Sequence, residues 1–410
     1  MKTKVKIEKY IDTFAILFFF VAVFAYMPTA RSGDRIVWIV AIAFLLLMAA
    51  KNVFFHKTTV SLDSSFLWYT SLVAWGALTC FWSLYTSRFE NYFQMYFLVV
   101  VLAIIALSTF MKSEKDIDRM FYLIIIAGCI AAIRFMAYTP WDTIFAEGYY
   151  SRGTFGSLLD NVTNYNNYIN HLCIICVISA FYSIVRKNKW CYLAFVFLCC
   201  VLILGGARKN LLVIPVAILI FALSTGNFIK KLKSLIIAAV IISIGTYFIM
   251  TIDLLEPVKN SLIGMFNGFI GEESGIVDTS TYERLYLIET AKEVWGEHFL
   301  LGVGWDNFCY YNMLHLYAHN NYYELLASTG IIGFMIYYFY YIFRAGQIVT
   351  KIIIGQKKTW DILLLGVVVG LMVQEYATIT FYGRERIILL LVVFLAHSLA
   401  SNRKTLKIRL

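Results

Sequence analysis

Charged residues are scarce in this sequence. Asp, Glu, Lys and Arg together make up 15% of its 410 residues, whereas apolar residues make up 60%. So little charge cannot cover a folded chain with a water-soluble surface, which leaves the lipid bilayer as the main solvent. Sustained alternation of polar and apolar residues is also lacking, and long unbroken apolar runs favour helices over a closed barrel. The sequence therefore predicts an all-α, polytopic membrane protein.

Patterns for metal or redox chemistry are lacking too. Most of the eight cysteines lie inside apolar runs, where cysteine behaves as a small hydrophobic residue. Cys173 and Cys176 have a CxxC spacing, but no second pair accompanies them. His315 and His319 are four residues apart, yet no acidic pattern typical of a zinc site goes with them. The sequence thus predicts neither a metal nor a cofactor.

The apolar runs predict about twelve transmembrane helices, if ~20 apolar residues make one crossing. They fall near residues 10–30, 36–50, 66–82, 89–111, 119–138, 165–185, 190–204, 210–224, 234–252, 319–343, 361–376 and 387–400. This pattern divides the chain into a segment 1–252 with the first nine helices, a long loop 253–318, and a segment 319–410 with the last three helices and a tail.

Most of the excess positive charge lies in alternate connections between the predicted helices. Because Lys and Arg in short loops favour the cytoplasm, this distribution predicts that both termini lie inside, and it argues against a nucleic-acid partner. It places the long loop outside. Within that loop, residues 281–297 predict an amphipathic helix that lies on the membrane or caps a cavity. Its apolar positions are Leu285, Ile288, Ala291, Val294 and Trp295.

Arg208 stands out because it lies at the membrane boundary, in the short sequence Gly-Gly-Ala-Arg-Lys-Asn between two apolar runs. A charge at this depth is costly and is often functional. One interpretation is an arginine that extends from a helix end to water. The other is an anion site, in which glycines let a ligand approach the backbone and the guanidinium holds phosphate oxygens.

His319 lies where the long outer loop passes into the tenth predicted helix. The positive end of a helix dipole disfavours the imidazolium form, so the ring is expected to be neutral and able to accept a proton. That property suits a general base. A histidine that only caps a helix end is the alternative interpretation.

Four motifs follow one another along the last two thirds of the chain: Arg152-Gly-Thr-Phe-Gly, Gly206-Ala-Arg208, Glu283-Arg284-Leu with Gly302-Val-Gly304, and His319-Asn320 with Gly330 and Gly333. In this order, with a large loop between the ninth and tenth helices, they resemble the O-antigen ligase and O-antigen polymerase family, bacterial enzymes that join glycans carried on polyprenyl diphosphate. The resemblance covers residues 150–390. Lys209-Asn210 departs from the family pattern, in which small or hydroxyl residues are commoner.

The resemblance implies a metal-independent, inverting glycosyltransferase that works at the outer face of the plasma membrane. The essential histidine of the family corresponds to His319, which would be the base for the acceptor hydroxyl. Two family arginines correspond to Arg208 and Arg284, which would hold the departing diphosphate. The remaining expected substrate contacts are Arg152, Asn320, Glu324, Arg386 and Trp305. Asn320 and Glu324 could equally be hydrogen-bonding groups of the helix end, and Trp305 could belong to an interfacial aromatic belt.

The implied partners are an undecaprenyl-diphosphate-linked oligosaccharide, an acceptor glycan or glycolipid, the bilayer, and a chain-length regulator protein as a candidate. The motifs do not separate a polymerase, which extends another lipid-linked repeat unit, from a ligase, which transfers the glycan to lipid A core. A twelve-helix transporter or lipid-linked oligosaccharide flippase is the alternative of another class. Transporters usually show related halves, whereas the halves of this sequence look unrelated and its ionisable residues gather at the outer boundary.

Overall fold

The computed structural model describes residues 2–27, 32–142, 165–205, 208–224, 279–401 and 406–408, with some single residues between 236 and 263. These parts are mostly helical. The α-helices are α1 Lys2–Val21, α2 Ser32–Phe54, α3 Ser64–Thr79, α4 Ser87–Met95, α5 Leu102–Phe110, α6 Glu114–Ala137, α7 Tyr165–Ile184, α8 Lys189–Leu204, α9 Arg208–Ser224, α10 Thr279–Glu297, α11 Asn321–Ile353, α12 Thr359–Glu375 and α13 Arg384–Ala400. The described part also has two short strands, β1 Val60–Leu62 and β2 Leu406–Ile408.

Five of the described helical segments are long and apolar enough to cross a membrane by themselves. They are Glu8–Tyr26, Arg35–Phe54, Ser87–Phe110, Glu114–Ala137 and Asn321–Ile353. Several others, such as Lys189–Leu204, are apolar but shorter. Each predicted crossing in the described part coincides with a helix, which confirms an all-α membrane protein. The count of twelve is not confirmed, because most of the predicted span 234–252, and most of residues 253–278 in the predicted loop 253–318, lie outside the described residues.

Helices α4 and α5 form one crossing, because the π-helical turn Tyr96–Val101 joins them without a break. A second π-helical turn, Ala22–Tyr26, extends α1. At one end of the bundle, β1 pairs antiparallel with β2. The connection after α2 and the C-terminal residues therefore lie on the same side, as the charge pattern predicts.

Helix α10 covers almost the predicted range, and its buried face includes Ala291 and Val294 of the predicted apolar face but not Leu285. Leu287, Ala291 and Val294 are buried and form a small apolar cluster with Ala318 and Ala327 of the segment that leads into α11. By contrast Leu285, which the predicted apolar face included, is 48% exposed. The helix therefore packs on α11, because its small and branched residues match the small side chains there.

Candidate functional site

His319 lies two residues before α11, in a left-handed backbone conformation with φ of 53°. Histidine, like asparagine, is one of the side chains that tolerate this conformation. The ring is half-buried, and its centroid lies 4.1 Å from that of Tyr317. The predicted start of a helix near His319 is correct to within two residues, and the imidazole stands just outside the helix end.

Asn320 and Glu324 fix the backbone on both sides of His319. Asn320 caps α11, since its Oδ1 accepts hydrogen bonds from the backbone N–H groups of Tyr322 (3.0 Å) and Tyr323 (3.3 Å). Glu324 is buried and accepts a hydrogen bond of 2.8 Å from the backbone N–H of Ala318. Their contacts are those of hydrogen-bonding groups at a helix end, which was one of the two predicted interpretations.

The helix that follows His319 is interrupted at Gly330, where φ is 65° and ψ is −174°. The loop between α10 and α11 satisfies the carbonyls that the interruption leaves without intrahelical partners. The N–H of Val303 donates to Ala327 O and that of Gly304 to Ser328 O, both at 2.9 Å, while Ile331 N–H donates to Phe299 O. The Gly-Val-Gly motif therefore packs its backbone directly against the helix break.

Trp305 follows this motif and is only 1% exposed. Its ring contacts those of Tyr92 and Phe381, with centroids 4.9 and 4.8 Å away. Gly76 of α3 makes room for it, because a β-carbon there would collide with the indole. The structure thus gives Trp305 a packing position inside the bundle, in which the ring offers no face to a sugar.

The opposite side of the histidine segment is tied to the turn between α12 and α13. Asn320 Nδ2 donates to Tyr376 O at 3.1 Å. Asn321 Oδ1 accepts hydrogen bonds from the backbone N–H groups of Thr380 (2.7 Å) and Phe381 (3.1 Å). Beneath them, the buried Glu375 carboxylate accepts hydrogen bonds from Tyr337, Tyr338 and Thr380. This polar network holds the start of α11 in place within the apolar bundle.

The helix that begins at Arg208 reaches the same end of the bundle. Asn210 is buried, and its Oδ1 accepts a hydrogen bond of 2.7 Å from Gln374 Nε2. Gln374 also donates to Asn170 O at 2.9 Å. Gln374 stands two residues before Tyr376, whose carbonyl binds Asn320. Asn210, a departure from the family pattern, therefore connects the start of α9 to the segment that carries His319. The side chain of Arg208 lies outside the described part of the structure.

The other predicted cations have different surroundings. Arg386 is buried, and its Nη1 lies 3.5 Å from Thr378 Oγ1. Arg284 is half-buried on the first half of α10, the helix whose apolar residues form a cluster with Ala318. Arg152 lies outside the described residues. In the described part, no group of three or more His, Cys, Asp or Glu side chains could hold a metal.

Sequence reasoning missed an ion pair beside the predicted site. Arg88 Nη1 lies 3.0 Å from Asp306 Oδ2. Burial raises the pKa of the Asp306 carboxyl, and the neighbouring Arg88 opposes that rise. More than 200 residues separate the two side chains along the chain, so no local spacing could have revealed the pair.

Residues 193–338 match a family model described as O-Antigen ligase. The matched segment includes Arg208, Arg284, Trp305 and His319, and it confirms the family resemblance predicted from the motifs. Comparison with curated proteins gives no significant match.

Proposed function

Because residues 193–338 belong to the O-antigen ligase family, we propose that this chain is a polysaccharide polymerase that joins undecaprenyl-diphosphate-linked repeat units at the outer face of the plasma membrane. The family comprises glycosyltransferase-like enzymes that act on lipid-linked glycans. The apolar helices agree with such a substrate, since its lipid part resides in the bilayer. A chain-length regulator protein stays a candidate partner.

The position of His319 is the observation that supports this proposal most. His319 lies just before the first residue of α11, and hydrogen bonds of Ala318, Asn320 and Asn321 fix the backbone on both sides of it. A general base needs this kind of fixed position at a site that substrate can reach. In the proposed reaction, the imidazole removes the proton of the acceptor hydroxyl as the hydroxyl oxygen attacks the anomeric carbon.

The departing diphosphate requires positive charge rather than a general acid, because it leaves as a stable anion. Arg208 and Arg284 would supply that charge. The location of Arg208 at the start of α9 adds the partial positive charge of a helix N-terminus. Arg152 and Arg386 are further candidate contacts for the diphosphate or for the glycan. The bond between the anomeric carbon and the diphosphate oxygen breaks as the new glycosidic bond forms, which inverts the anomeric configuration.

Purified protein in lipid nanodiscs, incubated with one lipid-linked repeat unit and nothing else, tests the proposal. A polymerase converts this substrate into a ladder of products that differ by one repeat unit. A ligase gives no ladder from this substrate but transfers the glycan once lipid A core is added. Absence of any transfer with either acceptor would contradict the glycosyltransferase function itself.

Replacing Arg208 with lysine is expected to lower transfer by ~10-fold to 100-fold, because lysine keeps the charge but loses the two-pronged geometry that suits phosphate oxygens. An arginine that only extends to water would tolerate the change. Arg186→Lys is the matched control, since Arg186 stacks on Trp360, away from the proposed site. Initial rates with the lipid-linked donor give the comparison, and full activity of Arg208→Lys would remove Arg208 from the site.

A further inference from the structure

Arg88, the second residue of α4, contacts the loop between α10 and α11. Its Nη1 donates to Asp306 Oδ2 at 3.0 Å and its Nε to the Tyr310 hydroxyl at 3.3 Å. The guanidinium also lies over the Tyr310 ring, 5.3 Å from the centroid. Residues 80–88, which connect α3 to the start of α4, are called the α3–α4 corner. One side chain of this corner, that of Arg88, therefore contacts two positions of the loop.

A pair of amide hydrogen bonds reinforces this contact. The backbone N–H of Tyr85 donates to Asn307 Oδ1, and Asn307 Nδ2 donates back to Tyr85 O, both at 3.0 Å. The Tyr85 and Tyr310 rings lie against each other with centroids 4.2 Å apart. Residues 306–310 are thus attached to the corner through an ion pair, a backbone bridge and an aromatic contact.

The attached segment leads to His319 through a closed loop. Asn312 Nδ2 donates to both Phe308 O and Leu316 O, at 3.1 and 2.8 Å, and its Oδ1 accepts from Leu316 N–H. These bonds make residues 308–316 a compact unit that ends three residues before His319. A displacement of Asp306 or Tyr310 is therefore expected to displace the imidazole too, because hydrogen bonds hold the intervening loop together.

We propose that Arg88 and Asp306 are positioning residues for His319: their ion pair sets where the outer loop sits on the α3–α4 corner, and thereby where the imidazole meets the acceptor hydroxyl. The inference rests on the proposed function, in which His319 is the base. Asp306 has a left-handed backbone with φ of 54°, a conformation that an external contact helps to maintain.

The ion pair is suited to alignment rather than to holding the fold together. The Arg88 side chain is 40% exposed and that of Asp306 is 21% exposed, so each charge keeps access to water when its partner is removed. Trp305 and its aromatic neighbours keep the loop attached through buried contacts. Loss of the pair is therefore expected to leave a folded protein in which the histidine is misplaced.

A double-mutant cycle tests the inference. Arg88→Ala and Asp306→Asn, in which asparagine keeps the left-handed backbone, are each expected to lower kcat by about tenfold or more with little change in the KM for donor. The double variant should be no slower than the slower single variant, because both changes remove the same contact. Arg88→Lys should recover much of the rate. Lys292→Ala, at an exposed pair on α10, is the control that should leave kcat unchanged.

Three results would overturn the inference: unchanged kcat in both single variants, multiplied losses in the double variant, or an effect confined to KM. The last two would indicate that Arg88 contacts substrate by itself. If Arg88→Ala does not fold, the Asp306→Asn and Arg88→Lys variants still decide between these outcomes.

His319→Asn is measured in parallel. Activity of His319→Asn would refute the proposed function. If His319→Asn is inactive while the variants of Arg88 and Asp306 are fully active, only the positioning role of Arg88 and Asp306 is refuted.

Discussion

Replacing His319 with asparagine is expected to lower the rate of glycan transfer by ~10²-fold to 10⁴-fold, the contribution of a positioned general base. Asparagine suits the test because it tolerates the left-handed backbone at this position and keeps a hydrogen-bonding side chain. It has no basic nitrogen that could accept the acceptor proton. The fold should persist, because Asn320 and Glu324 make the hydrogen bonds that fix this segment.

His315→Asn is the matched control for that variant. His315 belongs to the same loop, has a left-handed backbone with φ of 51° and is exposed. It should keep the wild-type rate. Rates of product formation in nanodiscs, with the elution profile of each purified variant as the check on folding, provide the measurement. Equal activity of the two variants would remove His319 from its proposed role as the base.

Replacing Gly330 with alanine is expected to destabilise the protein by about 3 kcal/mol or more and to abolish transfer. The combination of φ near +65° and ψ near 180° is essentially restricted to glycine. A β-carbon at this position would also overlap the backbone carbonyl of Leu300, which cannot rotate away as a side chain could. To relieve the overlap, residues 299–304 must move off the helix break, and the segment that carries His319 would lose its support.

Gly346 offers a control on the same helix. A β-carbon there meets nothing within 4 Å. Gly346→Ala should therefore leave transfer unchanged and raise the helix stability slightly, by up to ~1 kcal/mol, since alanine is the better helix former. Thermal unfolding of the two variants in the same detergent compares them. A Gly330→Ala protein with the wild-type midpoint and rate would show that the helix break does not support the site.

Much of the helix pattern could be predicted because each crossing is a local property. The predicted spans 89–111 and 119–138 correspond to the segments Ser87–Phe110 and Glu114–Ala137. Apolar runs bounded by charges mark such segments without any knowledge of their neighbours.

The site was only partly predictable, because its surroundings depend on residues that are distant in sequence. The loop-to-helix junction at position 319 could be predicted from the sequence, whereas the burial of Trp305 depends on Gly76, far away in sequence.

By itself, the sequence determined the membrane class, the helices in the described part and the family resemblance over residues 193–338, since composition, apolar run length and motif order are written along the chain. Only the tertiary structure decided what surrounds His319. The helix break at Gly330 is satisfied by a loop almost thirty residues earlier, and Arg88 meets Asp306 across more than 200 residues. Such partners are chosen by packing, because a buried carbonyl or charge accepts whichever donor the fold brings within reach.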